Sequence, residues 1–308
     1  SVECFVFVIR IDAATVLIQC MNGIPYGLFL FLLAIGVTLI FGIMGVINIA
    51  HGSFYMIGAY LAWSLMGWVG SFWIGLIVGV TVALLLGLVL EWLFIRFLYD
   101  RDHLQQVLVT YGLILIFSEL RSMIWGDDVH SVPIPELLNG SIQLTENLAY
   151  PIYRLWLSGV CIVIAILMFL GIQHTRLGMM IRAGESDREM TKSLGINIGL
   201  VYRFIFALGV SLAAFSGMIS APISSVFPGM GSQVLIVSFV VVVIGGLGSI
   251  KGAMIAALLV GLIDTFGKVI HLDIFGVNIF PEMSGMSIFA LMALILMLRP
   301  QGLFGRER

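Results

Sequence analysis

The sequence predicts an all-α polytopic membrane protein: a transmembrane helical bundle of about eight or nine spans, some of them broken by glycine. Its 308 residues are 60% hydrophobic and only 10% charged, with mean hydropathy +1.13, whereas about a quarter of residues are charged in soluble domains. Apolar stretches of about 20 residues, the length that crosses a bilayer core, recur along the whole chain. Glycine, 35 residues of it, gathers where those stretches are interrupted. Residues 1–308 therefore read as a single transmembrane domain, with a polar loop at 174–203. The net charge of −2 argues against nucleic acid as a partner and leaves the lipid bilayer as the surrounding medium.

In chain order, residues 1–12 are apolar but interrupted by Glu3, Arg10 and Asp12, and read as an interfacial lead-in too short to span. They carry no basic n-region or cleavage site, so no cleaved signal peptide is expected. Nine candidate spans follow, at 14–43, 50–69, 72–95, 104–125, 151–173, 200–222, 232–247, 252–270 and 281–298. The first contains Asn22, Gly23 and Pro25, which predict a tilt or kink. The seventh and eighth are short and separated only by Gly248–Gly252, so a re-entrant pair fits the pattern equally. Trp63, Trp68, Trp73, Trp92, Trp125 and Trp156 fall near span ends and read as interfacial anchors. Cys4, Cys20 and Cys161 are an odd number in apolar surroundings and read as packed thiols.

Lys and Arg in the short loops set the orientation. With alternating spans, Arg96, Arg101, Arg176, Arg182, Arg188, Lys192, Arg203, Lys251, Arg299, Arg306 and Arg308 fall on one side. Arg10, Arg121, Arg154 and Lys268 fall on the other, and the loop 126–150 has four carboxylates and no Lys or Arg. The expected arrangement is an outside N-terminus and a cytoplasmic C-terminus, with 174–203 in the cytoplasm.

Within that loop Arg182, Glu185, Asp187, Arg188, Glu189 and Lys192 crowd into eleven residues. Ser186 and Glu189 have the spacing of a capping box, and Gly195 stands where a left-handed terminator belongs. A helix over about 186–195 is predicted, with Met190 and Leu194 on one face. Two turns are marginal alone in water. The segment, including Gly184, reads either as a handle gripped by a partner or as a solvated loop.

Two glycine-rich breaks share a grammar: Gly42–Ser53 and Gly245–Gly252. Paired interruptions in the two halves of a chain point to a translocation path, though glycine also simply lets helices pack closely. Candidate path residues are Asn48, His51, Ser53 and Tyr55 at the first break, Gly245, Gly246 and Gly248 at the second, and Asp264 in the eighth span. Asn48 and Ser53 serve equally well as partners for backbone groups that a break sets free. Glu91 is expected to pair with Arg96, and Glu119 with Arg121. No metal spacing, nucleophile elbow or phosphate-cradling loop is present, so the chain is not expected to be an enzyme, to bind a cofactor or to hydrolyse ATP. An ion-coupled carrier would need buried ionisable groups, and Asp264 stands without an evident partner. A passive channel is a third class.

The run Val46–Tyr60, the island 182–197, the run Val243–Met254 and the terminal Arg299-Pro300-Gln301-Gly302-Leu303-Phe304-Gly305 together resemble LivH-type permeases of branched-chain amino acid ABC importers. They occur in that family's order across nearly the whole chain. Lys251 stands where Pro or a small residue is expected, and Asp264 where Glu is expected. The first dozen residues look like an extension. The resemblance implies an alternating-access importer in a bacterial cytoplasmic (inner) membrane. It consists of this permease with a second one (related, or a second copy), two cytoplasmic ATPase subunits holding ATP and Mg, and an extracytoplasmic binding protein. It further implies that Gly184, Glu185, Asp187, Arg188, Glu189, Met190, Lys192, Leu194 and Gly195 form the coupling segment that docks on an ATPase. Branched-chain amino acids are the expected cargo, with urea, short amides or other amino acids as alternatives.

Overall fold

The computed structural model describes residues 13–145, 148–268, 273–274, 277–278 and 280–305. The N-terminal lead-in, the arginines at 10, 306 and 308, and the side chains of Glu185 and Arg188 lie outside what is described. All nine predicted stretches contain a helix. These are α1 (Ala13–Leu39), α2 (His51–Val69), α3 (Phe72–Leu93), α4 (His103–Trp125) and α5 (Ile152–His174), followed after the polar loop by α8 (Ile198–Ser220), α9 (Met230–Gly245), α10 (Ile250–Gly267) and α11 (Phe280–Leu298). The loop itself holds α6 (Arg176–Ser186) and α7 (Arg188–Ser193). By length and composition six segments are able to cross a membrane: Val16–Met44, α3, α4, α5, α8 and α10. The shorter α9 and the small-residue, polar-tinged α2 fall outside that group.

α1 runs unbroken through Pro25 and then widens into a π-helical turn, Ile40–Met44. The interruption falls at Gly45, whose φ of +66° a side chain would disfavour. The chain thus leaves the helix at the first of the two glycine-rich breaks. Two features depart from a purely helical reading. Ser141–Thr145 (β1) pairs antiparallel with Leu148–Pro151 (β2), and Asp273–Ile274 (β3) with Val277–Asn278 (β4). Ser-Ile-Gln-Leu-Thr alternates polar and apolar residues, the period of a strand.

α1 and α8 are the central helices, whereas α4 and α5 turn most of their residues outward. The outward residues are apolar, such as Ile77, Leu108, Ile124, Val163 and Leu167, as expected of a lipid-facing surface. Lipid offers no hydrophobic drive for helices to associate, so close packing has to supply it. α2 crosses α8 at backbone contact. A Cβ on Gly58 would lie 2.5 Å from the Ala214 Cα, and one on Gly217 would collide with the Tyr55 carbonyl oxygen. α1 meets α10 in the same way, Gly27 and Gly261 each fitting against the other helix's backbone.

Several sequence-based pairings are replaced. Arg121 pairs with Asp127 at 2.5 Å rather than with Glu119, because the chain turns at Gly126 and brings Asp127 back over the end of α4. Ser122 also donates to Asp127, at 3.1 Å. The following loop is pinned where His130 and Val226 exchange backbone hydrogen bonds at 2.8 Å each. The His130 ring stacks on Trp63 with centroids 3.9 Å apart, so this anchor is held from both sides.

Gly58→Leu is expected to force α2 and α8 apart and to lower stability by about 1–3 kcal/mol. Gly112→Leu, where an added Cβ meets nothing within 4 Å, is expected to stay near the parent. Melting temperatures in detergent compare the two. The Arg121 and Ser122 hydrogen bonds hold the Asp127 carboxyl below its ordinary pKa, so its stabilisation is present above the carboxylate range and is lost as pH falls through the depressed value. The melting-temperature difference between the parent and Asp127→Asn is therefore expected to be widest near neutrality and to close in acid. A gap independent of pH would contradict the pairing.

Candidate functional site

A cavity of about 450 Å³ opens among the ends of α1, α5, α8 and α10 and the face of α2. Tyr26, Phe29, Tyr55, Leu157 and Ile223 supply its aromatic and aliphatic wall. Ser220 donates to the Gly217 carbonyl at 3.0 Å and so accepts from the Tyr55 hydroxyl at 2.7 Å. This links the cavity wall directly to the α2–α8 crossing. The charged lining residues are Arg154, Asp264 and Lys268. Asp264 is 5% exposed, and Lys268, one turn on, donates to its Oδ2 at 2.5 Å. That partner corrects the reading of Asp264 as unpaired. Arg154 donates to the Asn22 Oδ1 at 3.0 Å. Of the predicted path residues, the structure brings Tyr55 and Asp264 into this cavity.

The others lie at the glycine breaks. From Gly45 to Ala50 the chain is non-helical, and backbone groups freed from a helix need other partners. The Ile47 N–H donates to the Gln106 Oε1 at 3.1 Å, and the Ala50 N–H to the Asn48 Oδ1 at 3.1 Å. Gln106 also donates through Nε2 to the carbonyls of Leu98 and Arg101, both at 3.1 Å, tying the break to the turn before α4. His51 is buried, with Nε2 3.2 Å from the Leu33 carbonyl, and an added Cβ at Gly36 would strike its ring. Ser53 is buried in the first turn of α2, its N–H bonded to the Ala50 carbonyl. Gly246 and Gly248 adopt φ of +97° and +84° between α9 and α10.

The two breaks touch. A Cβ on Gly42 would lie 2.6 Å from the Gly248 Cα, and one on Gly245 2.5 Å from the Gly252 carbonyl carbon. The C-terminal strap closes over the same place. Leu303 and Phe304 donate backbone hydrogen bonds to the Ile244 and Gly245 carbonyls at 2.8 and 3.1 Å, capping carbonyls that the end of α9 leaves free. Gly245, Gly246 and Gly248 therefore meet backbone, not the cavity.

Near the turn Ile95–Leu98 the buried Glu91 carboxylate accepts from Arg203 at 2.7 Å and from the Tyr99 hydroxyl at 2.5 Å, joining α3 to α8. Arg96, the expected partner, instead lies over the rings of Trp92 and Phe97. Burial and Glu91 together push the Tyr99 phenol upward, so it remains a donor.

In the polar loop the Thr175 Oγ1 caps α6 by accepting from the Gly178 N–H at 3.1 Å. α6 lies against the π-helical turn Ile40–Met44 and precedes α7 directly. Ser186 ends α6, and α7 is capped by Asp187, whose Oδ1 accepts from the Met190 N–H at 2.9 Å. The capping-box spacing was thus one residue early: the short Asp187 carboxylate reaches the third N–H from an extended backbone. At the other end Gly195 has φ +81°. It donates to the Lys192 carbonyl at 3.0 Å and Ile196 to that of Thr191 at 3.4 Å, the paired bonds of a Schellman stop. Thr191 is buried, while Met190 is 60% and Leu194 73% exposed. Asp187, Glu189 and Lys192 are exposed around them, and Gly184 is buried at the end of α6.

Sequence reasoning missed Gln106, whose break partner lies 59 residues away, and Arg154 and Lys268 as cavity residues. The one signal for the last two was that they are cations on the side where Lys and Arg are scarce.

The family described as branched-chain amino acid transport system, permease component, matches residues 20–296. The chain is 31% identical to the high-affinity branched-chain amino acid transport system permease protein BraD of Pseudomonas aeruginosa, covering 94% of this chain and 95% of that one. It is 29% identical to LivH of Escherichia coli K12, with the same shares covered. It is 24% identical to the probable LivH of Methanocaldococcus jannaschii, over 92% of this chain and 91% of that one. No solved structure matches. The chain, a polytopic helical membrane protein without an ATPase motif, belongs to the branched-chain amino acid transport system permease family.

Proposed function

We propose that this chain is the membrane permease subunit of an ATP-driven importer that carries leucine, isoleucine and valine across a bacterial cytoplasmic membrane. The names of its relatives support that cargo over urea, short amides or other amino acids. Its partners are a second permease, related or identical, two cytoplasmic ATPase subunits and an extracytoplasmic binding protein, with ATP and Mg held by the ATPases. The N-terminus lies outside and the C-terminus inside, which takes an odd number of crossings, nine if every bundle helix spans. Eleven of the fifteen Lys and Arg residues then face the cytoplasm, as do α6, α7 and the glycine breaks, while the cavity opens outward.

The observation that carries this reading is α7. It is capped at both ends, held at Thr191, and presents Met190 and Leu194 to solvent, with nothing among the described residues covering them. Such a face, ringed by Asp187, Glu189 and Lys192, has the form of a helix-in-groove anchor, with the ATPase as the groove. Closure of the ATPase pair moves α7 and with it α6, which rests on Ile40–Met44 beside the Gly42–Gly248 contact. Force thus enters at the inner break and changes the access of the outward cavity. The Asp264–Lys268 ion pair argues against a carrier that cycles a proton on Asp264.

Replacing Glu185, Arg188 and Met190 together by Ala is expected to cut ATP-dependent leucine uptake in proteoliposomes by at least tenfold. The ATPase subunits should remain able to hydrolyse ATP, and the detergent melting temperature should be unchanged. Full coupled uptake by that variant would overturn the proposed role of α7.

A further inference from the structure

We infer that the outward cavity is a recognition site for an α-amino-acid zwitterion. In it Asp264 takes the ammonium group, and Lys268 and Arg154 take the carboxylate. The inference rests on the import function proposed above and adds which atoms select the cargo and against what.

An Asp–Lys pair four residues apart on one helix is also a common way to neutralise a helix end, and three observations go beyond that. First, the pair lies in the wall of a cavity of about 450 Å³, within the roughly 300–1,000 Å³ typical of small-molecule sites. A carboxylate on a spanning helix is costly, and it marks a substrate path when it faces a cavity. Second, a further cation, Arg154, reaches the same cavity from α5. Among the charged lining residues this gives one anion and two cations. Third, Arg154 and Lys268 are two of only four Lys or Arg residues that the proposed topology places outside. The remainder of the lining divides as a branched amino acid would require. Tyr26, Phe29, Leu157 and Ile223 form an apolar surface, and Ser220, Ser224 and Thr265 provide hydroxyls.

Lys268 lies on Asp264 at 2.5 Å, so neither charge is left bare. A zwitterion entering between them exchanges that one contact for three, its ammonium on Asp264 and its carboxylate on Lys268 and Arg154. When it leaves, the pair re-forms. Urea and acetamide carry no charge with which to open the pair. A site whose polar groups would be left unpaired by the wrong ligand rejects it strongly.

The test measures equilibrium binding of radiolabelled leucine to the permease pair purified with its ATPase subunits, without the binding protein. Leucine uptake by the complete importer is measured in parallel. Saturable leucine binding is expected, displaced by valine and isoleucine. Urea, acetamide, 4-methylpentanoate (no ammonium) and 3-methylbutylamine (no carboxylate) should fail to displace it at equal concentration. Asp264→Asn and Lys268→Met should each weaken binding at least tenfold, Arg154→Gln less, and Asp264→Glu should stay within about threefold of the parent. Should Asp264→Asn fail to fold, Lys268→Met and Arg154→Gln on the exposed rim carry the test. Parent-like leucine binding and uptake in Lys268→Met and Arg154→Gln would overturn the site while leaving the importer reading intact, as would displacement by the two singly charged analogues. An unsubstituted importer that carries urea or acetamide and neither binds nor carries leucine would overturn both.

Discussion

The crossing of α2 and α8 is the constraint on which the rest of the bundle depends. Gly58 against Ala214 and Gly217 against Tyr55 let two backbones meet with no side chain between them, a contact that lipid-soluble helices need because burial alone does not hold them together. That approach places the Tyr55 hydroxyl on Ser220 at 2.7 Å and so fixes one wall of the cavity. A bulkier residue at either glycine would move the wall along with the helices.

The structure separates two tasks that the sequence presents together as polar groups and glycines in an apolar chain. One end of the bundle, outward in the proposed topology, holds space and charge: a cavity with Asp264, Lys268 and Arg154 in its lining. The opposite, inward end holds close backbone contacts: Gly42 on Gly248, Gly245 on Gly252, and the Leu303–Phe304 strap on the end of α9. Gln106 and Asn48 accept from the Ile47 and Ala50 N–H groups of the non-helical stretch before α2. In the proposed mechanism the inward end receives force through α6 and α7, and the outward end receives cargo.

How much of this was legible depended on whether the signal was local. Nine apolar stretches, each followed by turn residues, placed all nine bundle helices, and Gly195 marked the end of α7 because a left-handed stop is written in one residue. The start of α7 was misplaced by one position because Ser186 and Asp187 are both good caps, and only the backbone shows which one is extended. The partners of Glu91 and Arg121 required knowledge of how the chain turns, whereas Lys268, four residues after Asp264 on one helix, was a local signal left unread. Arg203 reaches Glu91 from 112 residues away, and Gly126 folds Asp127 back on Arg121. Of the candidate path residues, Tyr55 and Asp264 share the cavity, while Asn48, His51 and the paired glycines sit where the chain is irregular. Polar character in an apolar chain identified both groups without distinguishing a wall from a joint.

The central claim is that this permease does no work alone and that α7 is its attachment to a motor. Purification from native membranes through a tag on this chain, followed by quantitative mass spectrometry, tests it most directly. The expected result is two ATPase subunits per permease pair, the pair being this chain with a further permease or with a second copy of itself, and loss of the ATPases when Met190 and Leu194 are both replaced by Asp. Recovery of the chain free of any ATPase, together with uptake driven by an ion gradient in liposomes containing it alone, would contradict the account.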